Sequence, residues 1–213
     1  GTCVKQTTDG GYIITGFTND LGNGSDEEAI LIKTDENGDE IWIKKFEGIC
    51  NASYSVEQTT DGGYVIAGQI KFTNPNGINS ITKVSLVKVN ENGDEIWSNS
   101  YGETTNSYGQ SVQQTTDGGY IITGYIKSSY EGDSSYDIYL VKTDENGNKI
   151  WSKEFGEVFF NDGGYSVEQT QDGGYIITGI KETDKFNAQL FLLKTDSYGY
   201  EQWSKTFGGI YDD

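Results

Sequence analysis

The chain has no histidine, no arginine and no methionine, one proline and two cysteines. Each absence removes a class of function. Without histidine no imidazole can activate a serine or cysteine nucleophile, and none can complete a zinc site. Cys3 and Cys50 are too few for a disulfide framework. The 15 basic residues face 33 acidic ones for a net charge of −18, so the protein's field repels phosphates and nucleic acid is not expected as a partner. No apolar run is long enough to span a bilayer, and no basic stretch followed by an apolar one marks a leader, so membrane insertion is not expected. A chain that starts with glycine and lacks methionine reads as a processed piece of a longer product, or otherwise as a monomer.

Against these absences stand 29 glycines and an aromatic content of 13%, both placed with regularity. Asp-Gly-Gly-Tyr begins at Asp9, Asp61, Asp117 and Asp172, in steps of 52, 56 and 55 residues, and each copy is followed by an apolar run that ends in glycine. A second signature keeps the same rhythm. A lysine (Lys33, Lys88, Lys142, Lys194) closes an apolar run, an Asn-Gly or related turn follows, and nine residues after the lysine comes Trp42, Trp97, Trp151 or Trp203. Four units of one pattern form a repeat architecture and a single domain over 1–213.

Each unit reads as four strands. The first is the Ser-Val-Glu-Gln-Thr type, and Asp-Gly-Gly turns it into Tyr-Ile-Ile-Thr-Gly, because glycine tolerates the positive φ of a tight hairpin. A variable loop leads to the third strand, and the Asn-Gly turn leads to the fourth, which carries the tryptophan. The second and third strands are apolar at consecutive positions, so both faces are covered, whereas the first and fourth mix apolar with polar residues. Sheets of this kind stack face to face, and the expected fold is an all-β four-bladed β-propeller with four antiparallel strands per blade. The blades fall near 1–48, 49–103, 104–157 and 158–213.

The runs Gln-Thr-Thr-Asp-Gly-Gly-Tyr-Ile-Ile-Thr-Gly and Leu-Val-Lys-Thr-Asp-Glu-Asn-Gly-Asn-Lys-Ile-Trp resemble the blade repeats of secreted and cell-surface β-propellers of bacteria and archaea. They are more distantly similar to kelch and quinoprotein-type repeats, in which a glycine-rich turn and a late tryptophan hold blade to blade. Kelch repeats end the second strand in two glycines, where this chain has one (Gly16, Gly68, Gly124, Gly179). Four blades would match hemopexin-type domains in number. The resemblance covers nearly the whole chain, and it implies an extracellular or cell-surface location with a binding or scaffolding role.

Asp35-Glu-Asn-Gly-Asp-Glu invites a calcium-loop reading, but its glycine is fourth rather than sixth, and Asp196-Ser-Tyr-Gly-Tyr-Glu loses the ligands while keeping the turn. Paired carboxylates for glycoside hydrolysis are not singled out among the acidic residues. No cofactor is expected, and the chain reads as a non-enzyme. A role repeated in every unit belongs to the scaffold, so recognition is sought where the units differ, in the B–C loops 18–28, 71–83, 127–137 and 181–189 and the D–A connections 47–54, 102–110 and 156–165. These carry Tyr54, Tyr108, Tyr130, Tyr136, Phe159, Phe160, Tyr165 and Phe186 beside Asp26, Asp133, Asp162 and Asp184. Tyr54 and Tyr165 are expected to flank the mouth of the channel. Aromatic faces beside hydrogen-bond acceptors suit a carbohydrate or a protein ligand. The first expectation is therefore a non-catalytic recognition module, the second a structural spacer of a larger surface protein, and the third an acid-catalysed carbohydrate-active enzyme. Cys3 and Cys50 fall at one end of neighbouring inner strands, where a disulfide would contribute roughly 2–4 kcal/mol; two part-buried thiols are the other reading.

Overall fold

The computed structural model describes residues 1–19, 27–73, 80–128, 130, 132, 134–184 and 187–208. Among these, every helix or strand element is a strand, and the strands form four antiparallel four-stranded sheets, each in plain sequence order. The first sheet is β1 (Cys3–Gln6), β2 (Tyr12–Asn19), β3 (Glu27–Thr34) and β4 (Glu40–Lys45). The second is β5 (Ala52–Gln58), β6 (Tyr64–Thr73), β7 (Ser80–Val89) and β8 (Glu95–Tyr101). The third is β9 (Ser107–Gln114), β10 (Tyr120–Lys127), β11 (Tyr136–Thr143) and β12 (Lys149–Phe155). The fourth is β13 (Asp162–Gln169), β14 (Tyr175–Asp184), β15 (Asn187–Thr195) and β16 (Glu201–Phe207). The chain is thus all-β, with four blades of the propeller type and four antiparallel strands in each. It divides into two compact units, Gly1–Tyr101 with the first two blades and Gly102–Asp213 with the last two.

The repeated signatures account for one end of every blade. In the first, Thr7 and Gly11 close the A–B turn through Thr7 N–H to Gly11 O (2.9 Å), with Gly10 at φ 88°. Asp9 then accepts hydrogen bonds from the Thr7 hydroxyl and the Gly11 N–H, and its carboxylate meets Lys33 Nζ at 2.9 Å. Lys33 Nζ also donates to Thr34 O at 2.8 Å, so a buried ammonium is satisfied from both sides. The same pairing joins Lys88 to Asp61, Lys142 to Asp117 and Lys194 to Asp172 at 2.9 to 3.0 Å. A Cβ at Gly11 would lie 2.2 Å from Thr34 O and 2.6 Å from Lys33 Nζ. The first glycine of the pair is therefore required by its φ, and the second by the close approach of the lysine.

The C–D turns are built from their own side chains. Asp35 Oδ1 accepts from Asn37 N and Asp39 N at 2.9 Å each, and Asn90, Asp144 and Asp196 do the same two and four residues on. The oxygen that resembles a calcium ligand is thus already an acceptor within its turn.

Within each unit the two blades share one apolar layer. Ile13, Leu31, Phe46, Val56, Tyr64, Ile66 and Val87 form it in the first unit, and Ile121, Leu140, Val167, Tyr175, Ile177 and Leu193 in the second. Complete burial of each such side chain contributes roughly 1.5–3 kcal/mol. The tryptophan of the leading blade reaches onto the next. Trp42 meets Tyr64 edge-on at 6.0 Å and covers Gly93, and Trp151 meets Tyr175 at 5.9 Å and covers Gly199. Polar contacts repeat across the seam: Thr8 N–H donates to Gln58 Oε1 and Thr116 N–H to Gln169 Oε1, both at 2.8 Å.

The structure corrects two expectations. The strands run further than the variable segments implied, so Tyr54, Tyr108, Tyr136, Asp162 and Tyr165 stand on strands β5, β9, β11 and β13 rather than in loops. β5, β9 and β13 begin on the buried residues Ala52, Ser107 and Asp162, whereas between Lys71, Phe72, Thr73 and Thr82, Ile81, Ser80 backbone pairing extends β6 and β7 without side-chain burial. The cysteines are both free thiols. Cys3 Sγ faces Val56 O at 3.9 Å, while the buried Cys50 Sγ donates to Ala52 O at 3.4 Å, so each sulfur is turned to a backbone carbonyl instead of the expected bridge. Burial pushes the Cys50 thiol up to about 11, which leaves it protonated and unreactive.

Candidate functional site

The end of the blade opposite the Asp-Gly-Gly turns is where the units differ, and a β-bulge sets what is displayed there. Strand A skips one residue opposite the strand-B glycine: Ser53 pairs with Gly68 and Ser55 with Ala67, leaving out Tyr54. Gln110 in the third blade and Tyr165 in the fourth are left out in the same way. The glycine is needed because a Cβ at Gly124 or Gly179 would sit within 2 Å of a strand-A carbonyl oxygen. A bulge re-aims the skipped side chain, and Tyr165 is about half exposed as a result.

In the second unit this end gathers aromatic rings. Tyr108 stacks on Tyr125 with centroids 4.8 Å apart, and Tyr136 stands edge-on to Tyr125 at 5.5 Å and to Tyr108 at 6.0 Å. Tyr125, Tyr136 and Tyr165, with Asn161, Asp162, Gly163 and Ile180, line a cavity of about 150 Å³. A Cβ at Gly163 would come within 3.7 Å of both Tyr125 and Tyr165, so this glycine leaves the space between the two rings open. Burial holds the Tyr136 phenol above its ordinary range, with Tyr108 adding to the effect.

Asp162 lies at the floor of this cavity and is almost wholly buried. It also lines a second cavity of about 320 Å³ with Glu154, Phe155, Glu157, Lys181 and Phe191. Burial pushes its carboxyl up to about 6, although the Glu182 N–H donates to it at 2.9 Å and Lys181 lies close by. Asn161 fixes the surrounding backbone: its Oδ1 accepts from Tyr136 N at 3.2 Å, and its N–H and Nδ2 donate to Glu182 Oε2 at 2.8 and 3.2 Å. Burial also raises the Glu154 carboxyl, while Glu157 pairs with Lys181 at 2.9 Å. The site therefore offers aromatic faces, a fixed amide and a carboxyl able to exist in either protonation state near pH 6.

Of the residues expected to bind, Tyr136, Tyr165 and Asp162 come together at this cavity, with Tyr108 packed behind it. Tyr130 and Phe159 form a separate exposed pair, edge-on at 6.3 Å, with Phe159 at φ 74°. Phe160 is half-buried. Tyr54 belongs to the first unit, where it stands edge-on to Phe17 at 6.2 Å. Asp26, Asp133 and Phe186 lie outside the described residues, and Asp184 ends β14 with its side chain outside them. Among the described residues no cluster of acidic residues and cysteines could hold a metal ion.

Two participants, and the motif that holds two of the expected ones, were missed in the sequence. Tyr125 follows the strand-B glycine, a position held by Phe17, Gln69 and Ile180 in the other blades, and so reads as strand interior. Asn161 recurs as Asn51 and Asn106, a weak signal lost in the variable connections. Asp162-Gly163-Gly164-Tyr165 is a fifth copy of the turn tetrapeptide, set out of phase with the repeat. In its four regular places the aspartate is held low, at about 2 for Asp9 by the Thr7 hydroxyl, Lys33 and the Gly11 N–H, whereas in the fifth burial drives it the other way. No protein-family model and no curated protein matches this sequence.

Proposed function

We propose that the protein is a non-catalytic recognition module of the extracellular or cell-surface kind, and that it binds carbohydrate at the cavity between Tyr125, Tyr136 and Tyr165. The observation that carries this reading is the pairing of open aromatic faces with a buried acceptor, Asp162, in one small concave site. A sugar ring presents C–H groups to an aromatic face and hydroxyls to acceptors, and a cavity of about 150 Å³ suits one ring rather than an extended apolar ligand. Strands rather than loops carry these side chains, which favours a preorganised site. The acidic surface, with its net charge of −18, supports a preference for neutral or basic ligands.

A glycan array followed by calorimetry on the best ligand tests this. Tyr165→Ala should weaken binding about tenfold, since an aromatic contact contributes about 0.5–1.5 kcal/mol beyond its buried area. Glu145→Ala, at the far end of the third blade, should leave affinity unchanged. Binding of a surface protein without any glycan would move the reading to a protein ligand. Release of reducing sugar would move it to acid-catalysed hydrolysis by Glu154 and Asp162. No binding at all would leave the spacer role.

A further inference from the structure

The first and last blades each present a face that the repeat elsewhere keeps covered. Val4 of β1 is 58% exposed, whereas its equivalent Val56 is fully buried against the first blade. Tyr12 is 37% exposed, and its equivalents Tyr64 and Tyr175, which receive Trp42 and Trp151, are 2% exposed. At the other end of the repeat, Leu190 is 54% exposed where Ile138 is 1% exposed, and Trp203 and Phe207 are similarly open. Each of these faces stands exposed in its own unit.

The two faces are complementary by the rules of the seams already described. Trp42 and Trp151 lie over the glycines Gly93 and Gly199, while a Cβ at the equivalent Gly38 would meet no atom within 4 Å. Lys44 pairs with Asp94 at 2.7 Å across the first seam, and Lys153 sits over the Tyr200 ring at 3.9 Å across the other. The equivalents of that pair on the uncovered faces are Lys205 and Asp39, of opposite charge and both exposed. The Gln171 N–H and Gln6 Oε1 likewise occupy the places of Thr8 N–H and Gln58 Oε1.

We propose that these faces bind one another between two copies of the chain, the last blade of one seating on the first blade of the next. The contact is head to tail: Trp203 lies on Gly38 and Tyr12, Lys205 pairs with Asp39, and Leu190 and Phe207 are covered. An interface of this heterologous kind buries a tryptophan at its centre and a charge pair at its rim, the usual arrangement of a binding hot spot. The charge pair sets direction, because head-to-head or tail-to-tail meeting would bring like charges together.

Sedimentation velocity across a concentration series tests the proposal. The wild-type chain should move from one copy to assemblies of two or more as concentration rises. Trp203→Ala should weaken association at least tenfold. K205E and D39K should each be impaired alone, because each sets like charges across its own seam. An equimolar mixture of the two should associate in a strict 1:1 ratio, since every mixed seam has opposite charges. Circular dichroism and thermal melts of each variant check that it is folded. A wild-type chain that stays a single copy at all concentrations overturns the proposal, as does a K205E and D39K mixture that associates no better than either variant alone. Loss of folding stability in Trp203→Ala with a single-copy wild type would also overturn it, by showing that the face is covered within the molecule.

Discussion

Replacing each glycine of one Asp-Gly-Gly turn by alanine separates two reasons for glycine that the sequence cannot distinguish. Gly62 has φ 85°, and a Cβ added there would meet nothing within 4 Å, so Gly62→Ala faces only the cost of the left-handed region, about 1–2 kcal/mol. At Gly63 the same methyl would stand 2.3 Å from Val89 O and 2.5 Å from Lys88 Nζ, against an ordinary contact of 3.4 Å or more. Something must move by about 1 Å, and the nearer atom is backbone, at the last residue of β7. Overpacking of that kind costs about 1–3 kcal/mol. Displacing Lys88 from Asp61 and Val89 O leaves a buried ammonium poorly satisfied, for about 1–3 kcal/mol more. The expected loss for Gly63→Ala is therefore about 2–6 kcal/mol, larger than that of its neighbour. Urea unfolding followed by tryptophan fluorescence reads both. Equal losses, or a larger loss at Gly62, would refute the assignment of the second glycine to lysine approach.

Asp162 gives a pH test. Its carboxyl is near 6 in the folded protein and near its ordinary 3.8 when unfolded, so the folded state binds the extra proton between those values. The second unit should gain stability as pH falls from 7 to 5, by about 1 kcal/mol, and Asp162→Asn should remove that dependence in thermal melts. A stability flat from pH 7 to 5 in the wild type would contradict it. The turn aspartates act in the opposite sense. Asp9 and Asp61, both held at about 2, contribute stability present above their ordinary range that is lost as pH falls from about 4 toward 2. For the Lys88 and Asp61 pair, Asp61→Asn should cost about 1–2 kcal/mol, and Lys88→Met combined with it should cost less than the two single changes summed. Strict additivity in that double-mutant cycle would mean that the pair is not coupled.

The fold was legible because its determinants are local. Asp-Gly-Gly and Asn-Gly each dictate a tight turn, and the β-branched runs between them leave little choice of element, so strand number and order follow from spacing. The Asp–Lys pairing was not legible, since it joins residues 22 to 27 positions apart whose common rhythm says only that they belong to the scaffold. Nor were the strand ends, because hydrogen bonding extends the sheets beyond the apolar core that the pattern reports. At the candidate site, Tyr136 and Tyr165 were visible as aromatics in segments that vary. Tyr125 was hidden by its place in a strand, and the inversion of Asp162 by its identity with four exposed turn aspartates. Environment, not residue type, separates the five.

The bulge in the inner strands has a consequence for how such a chain can change. A residue skipped by the ladder owes nothing to the alternation of its strand, so Tyr54, Gln110 and Tyr165 can be exchanged without turning a core side chain outward. The glycine opposite keeps the bulge in place whatever stands there. Each of these three blades thereby holds one position whose occupant can vary while the frame stays fixed, so residues 54, 110 and 165 can change one substitution at a time.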